Sequence, residues 1–320
     1  MKKPNIKAVV AAVIAIALIA AASAFAVNHF QKKQDNIKSN ETSQSLTEAE
    51  TTNTDETVNP EDVEWNGDEF KKETNTELVN ILLIGQDRRE GEDRQRSDAM
   101  ILCSLNPATS EIAVISFLRD LYVQIPGYED NRLNAAYAYG GFELLKETFE
   151  LNFGIKVDGC LESDFEGFEK IIDTVGGVEI ELTAEEAKIV GGNATEGLCT
   201  LNGEQALIYA RIRKIDSDFQ RTERQRNIMN AVFDKAKTYS LTELAMFFNE
   251  ILPLMSTDMT EDEIMSLALT CASSFSELKI KSYAVPSEGN YKNATIRGMA
   301  VLVPDLYEIK KLIFGEYLPM

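Results

Sequence analysis

The longest apolar run comes first. Residues 8–27 read AVVAAVIAIALIAAASAFAV, with no charge among them. At about 1.5 Å per residue a helix of that length spans ~30 Å, one bilayer core. Lys2, Lys3 and Lys7 precede it and favour a cytoplasmic tail at 1–7; Lys32 and Lys33 follow it and weaken the asymmetry. A single transmembrane anchor is the expectation. The competing reading is a cleaved signal peptide, because AASAFA contains A-x-A patterns, although a signal's apolar core is about 7–15 residues. Either reading puts the remainder outside the cytoplasmic membrane. Residues 28–76 form a polar stretch, interrupted after residue 31 by few large apolar residues, Leu46, Val58, Val63, Trp65 and Phe70 among them. It reads as a disordered extracellular stalk.

From residue 77 the pattern changes. LVNILLIGQD (78–87), SDAMILCSLN (97–106) and IAVISFLRD (112–120) are near-continuous apolar runs, expected as buried strands. NAAYAYGGFELLKETFELNFG (134–154) has helical periodicity broken near Gly140 and Gly141. FEGFEKIIDTVGG (165–177) predicts a glycine-closed helix, and VEIEL (178–182) a strand. Asn202 is a candidate N-cap for NGEQALIYARIR (202–213), and residues 221–240 predict a long amphipathic helix. Helices at 241–254 and 261–275, a strand at 278–286 and a last helix after Pro304 complete the pattern. Strands alternating with helices predict an α/β fold: a three-layer α/β/α sandwich with a central mixed sheet. A core domain at 77–242 is expected, with residues 243–320 packed on it.

The chain carries a formal net charge of −20, which argues against nucleic acid as a partner. His29 is the single histidine and lies before the folded part, so histidine-based triads and metal sites are excluded. Four cysteines show no C-x-x-C spacing. Cys160 and Cys199 are a candidate disulfide outside the membrane; Cys103 and Cys271 sit in apolar runs as expected buried thiols.

Against this acidic background, eleven of the twelve arginines fall between residues 88 and 226, where only five lysines occur. Solubility does not discriminate arginine from lysine in this way. Recognition of phosphate or carboxylate does, through the planar bidentate guanidinium. On the helix from residue 221, positions 221, 225, 228, 232 and 236 share a face, reading Arg221, Gln225, Ile228, Val232 and Ala236. Polar residues therefore extend the buried stripe, with Arg224 beside them. Inward arginines at a helix N-terminus suit an anion; a solvated basic helix start with partners such as Glu223 is the alternative. Asp87, Arg96 and Asp98 cluster at the ends of two strands, and Arg119 and Asp120 follow a third, where open α/β sheets bind ligands. Carboxylates beside a phosphate repel it unless a hard cation intervenes, so Asp87 and Asp98 suggest Mg²⁺.

These segments resemble the LytR-CpsA-Psr family over about residues 78–235. NILLIGQD with RSDAM is similar to its first acidic motif, FLRDLYVQIPGY and RLNAAYAYGG to its central signature, and NGEQALIYARIR and DFQRTERQR to its last two. The resemblance implies a Mg²⁺-dependent phosphotransferase. It would move a glycopolymer such as teichoic acid or capsule from an undecaprenyl-pyrophosphate carrier at the membrane to peptidoglycan, a muramic-acid C6 hydroxyl being the usual attacking group. By motif position, Asp87 and Asp98 would hold Mg²⁺. Arg96, Arg119, Arg132, Arg211, Arg213, Arg221 and Gln225 would hold the pyrophosphate. The family commonly has lysine at the position of Arg132, and serine or threonine at that of Gln86.

Phosphoryl transfer needs charge neutralisation and positioning more than a protein nucleophile, which suits a chain without catalytic histidine. Asp98 or Asp120 is the candidate proton acceptor. Tyr137, Tyr139, Phe142, Phe165, Phe168, Ile171 and Ile172 are candidates for a lipid slot, with ordinary core as the competing reading. Two rival functions use the same clamp. One is a polyprenyl-pyrophosphate hydrolase, and the other a non-catalytic envelope sensor that binds lipid-linked precursor.

Overall fold

The computed structural model of the chain describes residues 56–70, 78–86, 95–212, 218–236, 238–239, 243, 246–247, 250–260, 262–264 and 279–319. The expected anchor at 8–27, Asp87, Arg213 and Cys271 lie outside them. Among the described residues no helix is long and apolar enough to cross a membrane.

The three apolar runs are strands at the centre of a six-stranded sheet: β2 (Val79–Gln86), β3 (Ser97–Asn106) and β4 (Glu111–Phe117). They are buried on both faces, which is why their sequences do not alternate. The order is β10-β7-β2-β3-β4-β11, with β7 (Gly159–Ser163), β10 (Met255–Thr257) and β11 (Lys279–Val285) completing the sheet. β2 runs parallel to β7, and β4 parallel to β11; β3 is antiparallel to both β2 and β4. The sheet is therefore mixed. Strands β2, β4, β7 and β11 all end at one edge, and β3 begins there.

Each face of the sheet carries its own core. On one, α2 (Phe165–Thr174), α4 (Gly203–Ala210) and α5 (Asp218–Ala236) pack Phe168, Ile171, Ala206 and Val232 against Leu83 and Ile101. On the other, α1 (Leu133–Phe153) and α6 (Leu306–Leu312) pack Leu145, Phe149 and Ile309 against Leu82 and Leu102. The start signals in the sequence are used. Asp164 caps α2, and Asn202 with Gln205 forms a capping box on α4. A second capping box, Thr183 with Glu186, opens the short α3 (Ala184–Val190). α1 bends at Gly141, whose φ of 68° places it in the left-handed region, as the glycine pair predicts. At Gly203 a Cβ would lie 2.3 Å from the carbonyl oxygen of Glu169, so only glycine lets α4 approach α2 this closely.

Three features depart from the sequence reading. First, residues 56–70, expected within the stalk, are folded on the domain. β1 (Glu56–Thr57) pairs in parallel with β12 (Tyr291–Ile296), which forms a hairpin with β13 (Met299–Pro304). Trp65 stacks on the buried Tyr122 at 6.0 Å between ring centroids, and Phe70 on Phe314 at 5.7 Å. Lys310 Nζ donates to the Gly67 carbonyl at 3.0 Å. Isolated apolar residues among polar ones look like linker, because their partners lie far along the chain, Tyr122 for Trp65 and Phe314 for Phe70. Second, where a helix to residue 254 is expected, a short 3-10 turn at Leu252–Leu254 leads into β10. Third, β8 (Val178–Leu182) pairs with an unexpected β9 (Gly197–Leu201). Cys199 on β9 and the buried Cys160 on β7 are both free thiols packed on opposite faces of the sheet, so the candidate disulfide does not form.

Candidate active site

The edge where four parallel strands end gathers charge. Asp98 is the second residue of β3, with its side chain 6 % exposed. Arg119 follows β4 by two residues. Its Nη1 donates to Asp98 Oδ1 at 2.6 Å, and its Nε to Asp120 Oδ2 at 3.4 Å. Arg132 ends the two-residue strand β6 (Asn131–Arg132), which pairs with β5 (Tyr122–Val123), and brings its Nε to 3.3 Å from Asp120 Oδ1. The result is an alternating row: Asp98, Arg119, Asp120, Arg132. Its last three members are about one-fifth exposed, so the row opens to solvent at one end and is sealed at the other. Charge-assisted bonds of this kind fix guanidinium planes.

The row is braced from a region outside the motif-bearing segment. Arg132 donates through Nε and Nη2 to the carbonyl of Ala300 on β13, the former at 3.0 Å. The Leu302 N–H donates to the Asp120 carbonyl at 2.9 Å. The β12–β13 hairpin therefore orients both residues. No sequence signal points to this, because the contacts are made by backbone atoms some 170 residues away in the chain.

Other predicted residues approach the same edge or the core beneath it. Arg211 caps α4, and its guanidinium lies 4.7 Å over the ring of Phe165, the residue that opens α2 just beyond β7. Arg221 and Gln225 are 3 % and 4 % exposed on the inward face of α5, above Ile228 and Val232, as the helical spacing predicts. Gln86, at the end of β2, is fully buried; its Oε1 accepts from the Gln95 N–H at 2.9 Å. The Nε2 groups of Gln86 and Gln225 are buried without a hydrogen-bond acceptor among the described residues. An amide donor left in that state costs about 1–3 kcal/mol, which an oxygen-rich ligand would offset.

One predicted residue stands elsewhere. Arg224 turns away from the row. Its Nε donates to Glu186 Oε1 at 2.7 Å and its Nη1 to the Ile212 carbonyl at 3.0 Å, both inside the protein. Burial raises the Glu186 carboxyl, but the Thr183 backbone, the Arg224 guanidinium and the Thr183 hydroxyl outweigh it and hold the group below its usual range. The Thr-x-x-Glu spacing signals that capping box; the ion pair is legible only in three dimensions. Arg96 stands exposed just before β3. Asp87 and Arg213 lie outside the described residues. A cleft of about 580 Å³ opens beside Glu186, Arg224 and Glu223, and none of the four row residues lines it.

The lipid-slot candidates divide between the sheet's faces. Phe168, Ile171 and Ile172 are core on the α2 side, with Phe165 against them, whereas Tyr137 and Phe142 belong to the α1 side. Tyr139 is exposed. For a metal, the donor chemistry fits Mg²⁺. Asp98 supplies a hard carboxylate oxygen, Oδ2, that makes no hydrogen bond among the described residues, whereas both Asp120 oxygens face Arg119 and Arg132. No group of three acidic or cysteine side chains placed for a metal occurs among the described residues. Mg²⁺ usually takes one or two carboxylates, completing its shell with waters and substrate phosphate.

The LytR_cpsA_psr family model matches residues 30–312. A relative in Bacillus mycoides, a polyisoprenyl-teichoic acid--peptidoglycan teichoic acid transferase TagU, is 36% identical over 214 residues, 64% of this chain and 68% of the relative. Among solved structures, TagT bound to LI-WTA is 27% identical with a TM-score of 0.61, covering 77% of this chain and 94% of that one. A LytR-CPS2A-psr family protein, YwtF (TagT), with bound octaprenyl pyrophosphate lipid is 25% identical with a TM-score of 0.57, covering 77% and 93%.

Proposed function

From a chain that belongs to the LytR_cpsA_psr family and carries a row of arginines and aspartates at its sheet edge, we infer a glycopolymer–peptidoglycan phosphotransferase. The donor is a teichoic-acid or capsule-like polymer on an undecaprenyl-pyrophosphate carrier, and the acceptor is peptidoglycan. The single observation that carries the reading is the row Asp98–Arg119–Asp120–Arg132. Relatives named as teichoic acid transferases, and a neighbour holding octaprenyl pyrophosphate, support the substrate class.

In this reading Arg119 and Arg132 grip the diphosphate from one side, with Arg211, Arg221 and Gln225 contributing from α4 and α5. Asp98, with Asp87, would hold Mg²⁺, which when bound neutralises phosphate charge and steadies the leaving oxygen. The acceptor hydroxyl attacks the sugar-linked phosphorus. A new P–O bond forms to the acceptor, the bridging P–O bond breaks, and the lipid leaves as monophosphate. The hydroxyl proton passes to a carboxylate of the row, Asp98 or Asp120. Preorganisation by the β12–β13 hairpin keeps the guanidinium groups in place before the donor arrives. The active domain then stands outside the cytoplasmic membrane, tethered by residues 8–27.

Arg119→Ala tests this. Losing a charge-assisted contact of about 1.5–3 kcal/mol should lower kcat/KM by roughly ten- to 150-fold, measured per folded molecule because the buried Asp98 also loses its partner. Transfer at the wild-type rate would remove Arg119 from the clamp.

A further inference from the structure

Tyr128 and Tyr139 are 53 % and 39 % exposed, and yet their rings are ordered against each other. The centroids lie 4.9 Å apart with the planes 22° from parallel. Asn131 Nδ2 donates to the Tyr139 hydroxyl at 3.0 Å. The loop beneath is pinned as well. The Tyr128 N–H donates to the Ile125 carbonyl at 3.0 Å, and Arg297 pairs with Glu129 at 2.9 Å while donating to the Asp130 carbonyl at 3.3 Å. Two large rings that keep so much of their surface in water add little to the core, and single exposed aromatics rarely come as a fixed stack.

Their position is specific. Asn131 directly precedes Arg132, the outer arginine of the row. The first half of α1 lies across the sheet edge. The Leu133 N–H bonds the Leu121 carbonyl, the Asn134 N–H the Arg119 carbonyl, and the Tyr137 hydroxyl reaches Glu162 on β7. Tyr137 points down into the protein, 2 % exposed; Tyr139, two residues on, points out. The stacked pair therefore stands on the solvent side of the segment that roofs the row.

We propose that the Tyr128–Tyr139 pair is the binding platform for the acceptor saccharide, a neutral face of a pyranose ring lying on the outer tyrosine face, with hydroxyl or acetamido groups bonded by Asn131 and Glu129. The assignment rests on the transferase reading and deepens it. The donor brings a diphosphate, which the arginines hold by charge. The acceptor presents a neutral hydroxyl, to which a guanidinium row gives little. Its orientation must come from apolar stacking and hydrogen bonds on a surface already rigid, where little side-chain entropy is lost. Tyrosine supplies both the ring and the polar handle.

The test uses the full chain in detergent with lipid-linked glycopolymer and peptidoglycan glycan fragments. Tyr128→Ala/Tyr139→Ala should raise KM for the acceptor about tenfold or more, the loss of roughly one aromatic contact, and leave KM for the donor in place. Calorimetric titration of a glycan fragment without any donor should show the same weakening. Tyr139→Phe should retain most of the affinity. An unchanged acceptor KM in the double variant overturns the platform, and so does a rise in donor KM alone, which would place the donor's polymer there. Glycan binding that weakens in the double variant, in a protein that transfers nothing, supports the platform and sinks the transferase reading. The two failures are thus distinct.

Discussion

Arg224 and Glu186 offer a sharp test, because the proposed function gives the arginines of one helix two different purposes. Arg224→Met removes the cation from a pair whose members are 4 % and 8 % exposed, leaving a buried carboxylate with its Thr183 contacts alone. Breaking a buried pair from one side costs about 3–5 kcal/mol, which for a domain of this size lowers the thermal midpoint by roughly 6–20 °C. Glu186→Gln keeps the capping box, since glutamine serves at the same position of that motif. The double variant Arg224→Met/Glu186→Gln leaves no uncompensated charge and should recover a substantial part of the loss. Thermal unfolding by circular dichroism reads stability, and transfer per folded molecule reads the site. The reasoning fails if Arg224→Met keeps the wild-type midpoint and loses transfer, because the guanidinium would then belong to the substrate.

Three further outcomes are expected. The Glu186 carboxyl is held below its ordinary value of 4.5, so it contributes stability that is present above that pH and lost as pH falls through the lowered folded-state value; Glu186→Gln should flatten this part of the acid unfolding curve, and an unchanged acid limb would contradict the assignment. Trp65→Ala removes the half-buried ring stacked on Tyr122 and should cost about 2 kcal/mol in denaturant unfolding; a change below about 0.5 kcal/mol would mean that residues 56–70 are not part of the fold. A strong chelator should stop transfer, with recovery on adding Mg²⁺, and full turnover in its presence would exclude the cation.

What the sequence made legible follows from the range of each signal. The three apolar runs, the cap at Asn202 and the break at Gly141 are local, and each appears where its residues predict. The inward face of α5, Arg221 through Val232, is also local, because helical periodicity alone decides burial there. The brace of Arg132 by Ala300 is not legible, since a backbone carbonyl has no residue signature. Neither is the folding of Trp65 and Phe70 onto the domain, where two isolated aromatics find partners far along the chain. Arg224 shows the limit most clearly. It sits beside Arg221 in sequence and shares its chemistry, and only the position of Glu186 on α3 separates their roles.

Product analysis tests the central claim most directly. The full chain is incubated with lipid-linked glycopolymer and peptidoglycan, and lipid monophosphate and polymer bound through a phosphodiester are both measured. The account predicts equal amounts of the two, falling together in Arg119→Ala. Lipid monophosphate accompanied by free polymer phosphate, or equal transfer by wild type and Arg119→Ala, would contradict it.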